Sequence, residues 1–424
     1  MSRRIPIRER LVANHLVRGS LVLLLGSVGA AFAGYFYWTY LSRRFGAEVV
    51  GEISALGAVA AVVSLLHAHS IGASILTRLH ALGPGSRRAL IRAALLSVGV
   101  LAGLAGVLGG LALLLLDASP TLRNPVFFAV FVLGVSAQSV GSTLDAAALA
   151  LRSSRTSALR NSVSSAVRLP LLVLLTVCAG SLGGVALALT AGTIVSVVGV
   201  LWLLRTLHGL TPHEDGAVPL LTVVDDLRRG AGPQALVALG GGMPAQVLPA
   251  LVVAIAGAGA GGHFSMAWLV GSTCFMIPPM VCSMLLAEGS RDLETLGHRV
   301  SHAVMLIALL LVGPVATYLL VGDRILDLFG DGFAAGGHGV LVVLAVSAVP
   351  NTVFNVSVSV LRTHELLRPA GKVSVVSGAL TLILAAALVP VAGATGAGTG
   401  WLLGQTAGAL GGLIACRRLL HSAS

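Results

Sequence analysis

Charge is scarce in this sequence. Only 10% of its 424 residues are Asp, Glu, Lys or Arg, against about 25% in a soluble domain, while 56% are hydrophobic and the mean hydropathy is +0.95. No soluble core hides that much apolar surface, whereas a bilayer does. Lysine is almost missing: Lys372 is the one basic residue of 27 that is not arginine, a bias that with so much Ala, Gly, Val and Leu points to a GC-rich bacterial genome. The four cysteines (Cys178, Cys274, Cys282 and Cys416) lie in apolar stretches, with no CxxC and no metal-type spacing to histidine. Neither disulfides nor zinc are indicated, and no cofactor is expected. Large external loops are also lacking, the longest on the outer side being 323–337. With no nucleophile–base pair or metal cluster either, an enzyme is not expected.

What is present is length of apolar chain. A helix needs about 20 apolar residues to cross a bilayer, and twelve windows qualify: 19–40, 49–77, 93–116, 125–151, 161–180, 184–204, 234–256, 263–287, 300–322, 338–361, 373–392 and 396–416. The first follows a basic segment but ends in aromatics and arginines without a small-residue cleavage site, so it reads as a retained span. Glycines at small-xxx-small spacing, such as Gly99/Gly103 and Gly106/Gly110, let helix backbones approach closely in lipid. Of the 27 basic residues, 22 fall in the N-terminus, the even-numbered loops and the C-terminal tail, four in the odd-numbered loops (Arg43, Arg44, Arg123, Arg324), and Arg168 lies inside a span. That asymmetry predicts a multi-pass protein of a bacterial plasma membrane with both termini in the cytoplasm. It also accounts for the net charge of +11 with no nucleic-acid partner.

The chain repeats itself. "GEISA" at Gly51 opens span 2 and "GHFSM" at Gly262 opens span 8, 211 residues later; "STLDAAALALRS" from Ser142 and "TVFNVSVSVLRT" from Thr352 are 210 apart. An offset of half the chain implies duplication, and six spans per half imply parallel repeats with a cleft between them. The expected domains are a six-helix lobe over 1–204, a cytoplasmic linker with an interfacial helix over 205–233, and a second six-helix lobe over 234–424.

Few side chains carry chemistry at membrane depth. "GYFYWTYLSRRFG" (Gly34–Gly46) holds three of the four tyrosines. It reads as an interfacial aromatic belt, or as a mouth in which Tyr35, Trp38 and Ser42 form one face while Tyr37 and Tyr40 meet headgroups. Glu52 reads as a solvated carboxylate at the outer boundary of span 2. His67 and His69 lie deeper, either as neutral hydrogen-bonded groups or as phosphate contacts or proton relays. Gln246 in span 7 and Trp268, Ser272 and Thr273 in span 8 are further candidates to face a cavity. Asp145 and Arg168, each placed roughly 10–12 Å below the inner surface by helical rise, are expected to form an ion pair, because a lone arginine there costs on the order of 3 kcal/mol.

"LSRRFGAEVVGEISALGAVAAVVSLL" running into "SIGASILTRL", together with "DDLRRGAGPQALVAL", "MIPPMVCSMLLAEGSRD", "ILDLFGDGFAAGG" and "LDAAALALRSSRTSALRNSVSSAVRLPLLVLL", resembles the polysaccharide flippases of the multidrug, oligosaccharidyl-lipid and polysaccharide exporter superfamily. The last stretch is similar to actinobacterial exopolysaccharide flippases. The resemblance implies a MATE-like, all-α fold of about twelve membrane helices in two six-helix lobes around a central cavity. It also implies outward movement of a lipid-linked oligosaccharide by alternating access, with membrane lipids and a polysaccharide polymerase or glycosyltransferases as partners. Candidate substrate contacts are Arg168, Asp145, His67, His69, Tyr35, Trp38, Gln246 and Trp268. In place of the arginines that such flippases often carry in cavity-lining helices, spans 1, 7 and 8 have none, and Arg18 and Arg78 fall at the cytoplasmic rim. A drug or cation antiporter of the same superfamily and a non-transporting scaffold are the other readings. The antiporter expects an acid on span 1, which has none.

Overall fold

The computed structural model describes residues 7–72, 84–151, 154–179, 233–289 and 296–423, with isolated positions at 75, 79 and between 190 and 201. The expected linker (all but Pro233), most of span 6, Arg78 and the side chain of Arg18 lie outside the described residues. Eight α-helices fill nearly all of what is described: α1 (Ile7–His67), α2 (Pro84–Leu115), α3 (Pro125–Ala150), α4 (Ser154–Ala179), α5 (Pro233–Gly289), α6 (Leu296–Asp327), α7 (Phe333–Thr363) and α8 (Leu367–Ala423). A π-helical turn, Ala68–Gly72, follows α1, and a 3-10 turn, Pro120–Arg123, precedes α3. Among the described residues there is no strand.

Helix α1 counts 61 residues and α5 and α8 57 each. A straight helix of that length would reach about 85 Å, far beyond the ~30 Å hydrocarbon core. One glycine breaks each of them: Gly46 (φ 77°, ψ −175°), Gly257 (φ 85°, ψ 168°) and Gly393 (φ 55°, ψ −138°). A side chain forbids positive φ at such ψ values, so the break requires glycine. All three fall in the links expected between spans 1 and 2, 7 and 8, and 11 and 12. Among the described residues seven helical segments are long and apolar enough to cross a membrane, and three of them contain such a break. This is a multi-pass, all-α membrane protein.

Small residues set the helix spacing. In α2, added Cβ atoms at Gly99, Gly103, Gly106 and Gly110 would meet Val140, Ser136, Val135 and Phe128 of α3, at 3.7, 3.1, 3.2 and 2.8 Å. The predicted small-residue stripe is thus the α2–α3 seam, closed further by Ser136 Oγ donating to the Gly99 carbonyl at 3.1 Å. The α8 hairpin uses the same device. Gly400, Gly404 and Gly408 face Ala385, Thr381 and Ser377 in antiparallel register, and Ser377 Oγ donates to the Gly404 carbonyl at 2.8 Å.

The chain divides into two compact units. Unit 1 comprises Met1–Tyr37, Leu66–Gly110 and Thr121–Gly230; unit 2 comprises Trp38–Leu65, Leu111–Pro120 and Ala231–Ser424. Within unit 2 the tips of the α1 and α5 breaks meet. A Cβ on Gly51 would lie 1.8 Å from the Ala258 carbonyl oxygen, and one on Gly262 1.9 Å from the Ala47 carbonyl oxygen. Gly51 and Gly262 are 211 residues apart, as are Ala47 and Ala258, and Gly46 and Gly257. Equivalent residues of the two halves therefore exchange equivalent contacts, backbone against backbone, as a duplicated pair related by a local two-fold does.

Two outer-end expectations change. Glu52 is buried rather than solvated, and its carboxylate accepts a 2.6 Å hydrogen bond from Ser119 Oγ. A carboxylate leaves water only with such partners. Tyr37 is buried at 5% exposure and is not a belt residue; Phe32 and Phe36, 62% and 63% exposed, take the lipid-facing positions. Ser42 is buried, with its hydroxyl turned back to the Thr39 carbonyl at 3.1 Å.

Candidate functional site

Unit 1 holds a polar seam. On α3, Gly134, Gln138, Gly141 and Asp145 recur at intervals of four, three and four, which places them on one face. The expected pairing of Asp145 with Arg168 is not what forms. Both carboxylate oxygens of Asp145 are taken by Arg160, Nε donating to Oδ1 at 2.8 Å and Nη2 to Oδ2. Gly141 makes room for that guanidinium, since a Cβ there would meet Arg160 Nη1 at 2.8 Å. The reason for the difference is register. Helix α4 begins at Ser154, so Arg160 is already a helical residue opposite Asp145, and Arg168 lies about 12 Å further along. Its Nη2 donates to Thr193 Oγ1 at 2.9 Å and reaches Gln138 Oε1 at 3.5 Å.

Unit 2 holds a cavity of about 440 Å³. Helix α7 contributes Asn351, Phe354, Asn355, Val358, Ser359 and Arg362. These follow the three-and-four spacing of one helix face and span roughly 16 Å at 1.5 Å per residue. Gly241, Gly242 and Ala245 of α5 leave the opposite wall open, and Phe275, Pro279, Cys282 and Trp401 are among the other lining residues. Trp401 meets Trp268 edge-on at 4.9 Å and Phe275 at 5.3 Å, and Phe264 stacks on Trp268 at 5.6 Å. Aromatic contacts of this kind are worth about 0.5–1.5 kcal/mol each beyond burial, so the wall is rigid. Asn355 Nδ2 donates to Asn351 Oδ1 at 3.2 Å, and Asn351 Nδ2 donates to Gln405 Oε1 at 3.0 Å. The buried Trp401 indole N–H finds no acceptor, and a donor left so costs about 1–3 kcal/mol. The wall therefore offers flat aromatic faces, amides and one cation, Arg362.

The sequence candidates distribute as follows. Trp268 supports the cavity's aromatic wall from behind. Gln246 is half-buried on α5 but is not one of the lining residues. His67, buried, ends α1, and half-buried His69 sits in the π-helical turn, where Ser70 Oγ donates to the Leu66 carbonyl at 2.6 Å. Tyr35 and Trp38 are half-buried. Thr273 contacts the Tyr318 hydroxyl, while Ser272 turns to the Leu269 carbonyl at 3.1 Å. Tyr35, His67 and His69 belong to unit 1 and Trp38, Gln246, Trp268, Ser272 and Thr273 to unit 2, and the unit 2 cavity adds Arg362, Trp401, Asn351 and Phe275. The stripe Asn351, Asn355, Ser359 and Arg362 at spacings of four, four and three was the readable signal. Cys274 and Cys282 are buried and Cys416 half-buried, as expected; Cys178 lies outside the described side chains.

Neither a protein-family profile nor a curated protein sequence matches this chain. Solved structures do. A multidrug resistance MATE family transporter of the MOP superfamily, in an inward-facing conformation, aligns with a TM-score of 0.73 at 15% identity, over 94% of this chain and 95% of its own. The fold is MATE-like. The lipid II flippase MurJ, in an inward closed conformation, aligns with a TM-score of 0.77 at 9% identity, over 94% of this chain and 87% of that one. An outward-facing conformation of a MATE family transporter gives a TM-score of 0.58 at 16% identity over 96% of both chains.

Proposed function

We propose that this protein is a flippase, moving a polyprenyl-linked oligosaccharide or a related cell-envelope precursor from the inner to the outer leaflet by alternating access. The observation that carries this reading is the charge of the unit 2 cavity. Among the described residues lining it, Arg362 is the only charged one and none is acidic. A proton-, sodium- or organic-cation exporter needs a carboxylate where the cation sits; an amphiphile with a sugar and a phosphate does not. Phe275, Phe354 and Trp401 present faces to a sugar ring, Asn351 and Asn355 meet hydroxyls, and Arg362 suits a phosphate. One of the structures sharing the fold is a lipid II flippase, which supports this reading. The multidrug MATE neighbours favour the exporter alternative, which the acid-free cavity disfavours.

Orientation follows from arginine. The positive-inside asymmetry puts both termini and Arg362 on the cytoplasmic side and the Gly51–Gly262 seam on the outer side. In this reading the seam of hairpin tips is the outer gate of unit 2, shut here by backbone contact, and the cavity lies in the cytoplasmic half. Polymerases or glycosyltransferases supply the substrate or consume it. Depleting the protein in its host and measuring lipid-linked glycans by leaflet tests the reading. Accumulation on the cytoplasmic side is expected. Altered drug sensitivity with no such accumulation establishes the exporter instead.

A further inference from the structure

Among the described residues, no acid pairs with Arg168 of unit 1. Arg160, eight residues away on α4, has its positive charge cancelled by both oxygens of Asp145. Among the described residues Arg168 has only neutral hydrogen-bond acceptors, Thr193 Oγ1 at 2.9 Å and Gln138 Oε1 at 3.5 Å, and both bonds come from Nη2. Its Nε is buried and donates to nothing. The electrostatic neighbours it has are the Tyr37 phenol and a second cation, Arg160. A phenol is neutral at physiological pH, and a guanidinium does not give up its proton there. One full positive charge therefore remains on α4 with no countercharge among the described residues, and a buried charge left so is costly.

We propose that this place is a binding site for a monovalent inorganic anion of chloride size. An anion against Arg168 Nε restores neutrality, fills the unused donor and has the Tyr37 hydroxyl as its neighbour. The size follows from enclosure. Tyr37 is 5% and Thr193 4% exposed, an enclosure that shuts out a lipid headgroup trailing two chains or a prenyl tail and leaves a small ion as the candidate. The single charge follows from the single unbalanced cation. Duplication has not copied the site: 210 residues on, at the second-half offset, stands Gly378, whose backbone lies against that of Gly240. The anion site is thus a property of unit 1, and it does not rest on the flippase reading.

The test uses the purified full-length protein in detergent, melted in sodium chloride and in sodium gluconate at equal ionic strength. Chloride is expected to raise the midpoint saturably, by on the order of 2–5 °C, with bromide and nitrate substituting and sulfate and inorganic phosphate not. Arg168→Gln should abolish the shift, and Arg44→Gln, at an exposed position, should keep it. Equal midpoints in chloride and gluconate, a shift that survives Arg168→Gln, or a shift given by phosphate but not by halides each overturns the proposal. Should Arg168→Gln fail to fold, bromide-soaked crystals of the unaltered protein decide. An anomalous peak in contact with Arg168 Nε is expected, and a site empty of bromide refutes it.

Discussion

Adding one methyl group to Gly51 forces apart the two hairpin tips of unit 2. In the closed seam the new Cβ would sit 1.8 Å from the Ala258 carbonyl oxygen, and Cβ contacts under 3.0 Å essentially do not occur, so the backbone must retreat by at least 1.2 Å (3.0 − 1.8). The atom struck is backbone rather than the end of a mobile side chain, so no rotamer change relieves it. Overpacking of this kind costs about 1–3 kcal/mol. If the cost falls on the closed seam and not the open one, the equilibrium moves 5- to 150-fold toward open, by the usual conversion of about 1–3 kcal/mol. The assay is the rate at which a cysteine at Ala47 reacts with an impermeant maleimide in intact cells. Gly51→Ala should speed labelling several-fold and slow transport. Gly262→Ala, which strikes the Ala47 carbonyl at 1.9 Å, should do the same. Gly57→Ala, where nothing lies within 4 Å, is the matched control and should change neither. Labelling and transport at control values in both seam variants would refute the reasoning.

Asp145→Asn and Arg160→Gln should each lower stability by about 1.5–3 kcal/mol, the worth of hydrogen bonds to charged groups. A double-mutant cycle read by melting in detergent should show Asp145 coupled to Arg160 and not to Arg168. Gly404→Val should lower the melting midpoint because its Cβ would lie 1.9 Å from Thr381 Oγ1, and Thr381→Ala should recover part of the loss. Trp401→Phe keeps the aromatic wall but removes an indole N–H that has no acceptor; melting should be unchanged or raised, while the KM for transport rises several-fold. Cysteines at Ala47 and at Arg368 should label from outside and from inside respectively, and the reverse pattern would invert the membrane orientation.

The fold was legible where a local rule acts alone. Apolar runs of membrane length gave the spans, and the links expected between them contain Gly46, Gly257 and Gly393, where the structure shows the breaks, because only glycine turns the chain there. The offset of 211 predicted a duplication that the paired Gly51 and Gly262 contacts display. Register was not legible in the same way. "RSSRTSALR" looks like a loop, since its serines and arginines suit one, and nothing local shows that α4 starts at Ser154; Arg168 was therefore set level with Asp145, when Arg160 takes that place and Arg168 lies about two turns beyond it. The burial of Tyr37 and Glu52 depends on what packs against them, in the case of Glu52 on Ser119, 67 residues away. The cavity was invisible for a related reason: its walls come from α5, α7 and α8, and sequence spacing orders residues within one helix but not between three.

Movement of a lipid-linked sugar by the purified protein tests the central claim most directly. The protein is reconstituted into liposomes carrying a fluorescent polyprenyl-pyrophosphate sugar, and the label in the outer leaflet is quenched by an impermeant reductant. A flippase gives the substrate access to both leaflets, so quenching should pass well beyond the outer-leaflet half that empty liposomes show, and Arg362→Gln should slow the second phase. Quenching that stops at the level of empty liposomes, from protein that exports an organic cation in the same vesicles, would contradict the account.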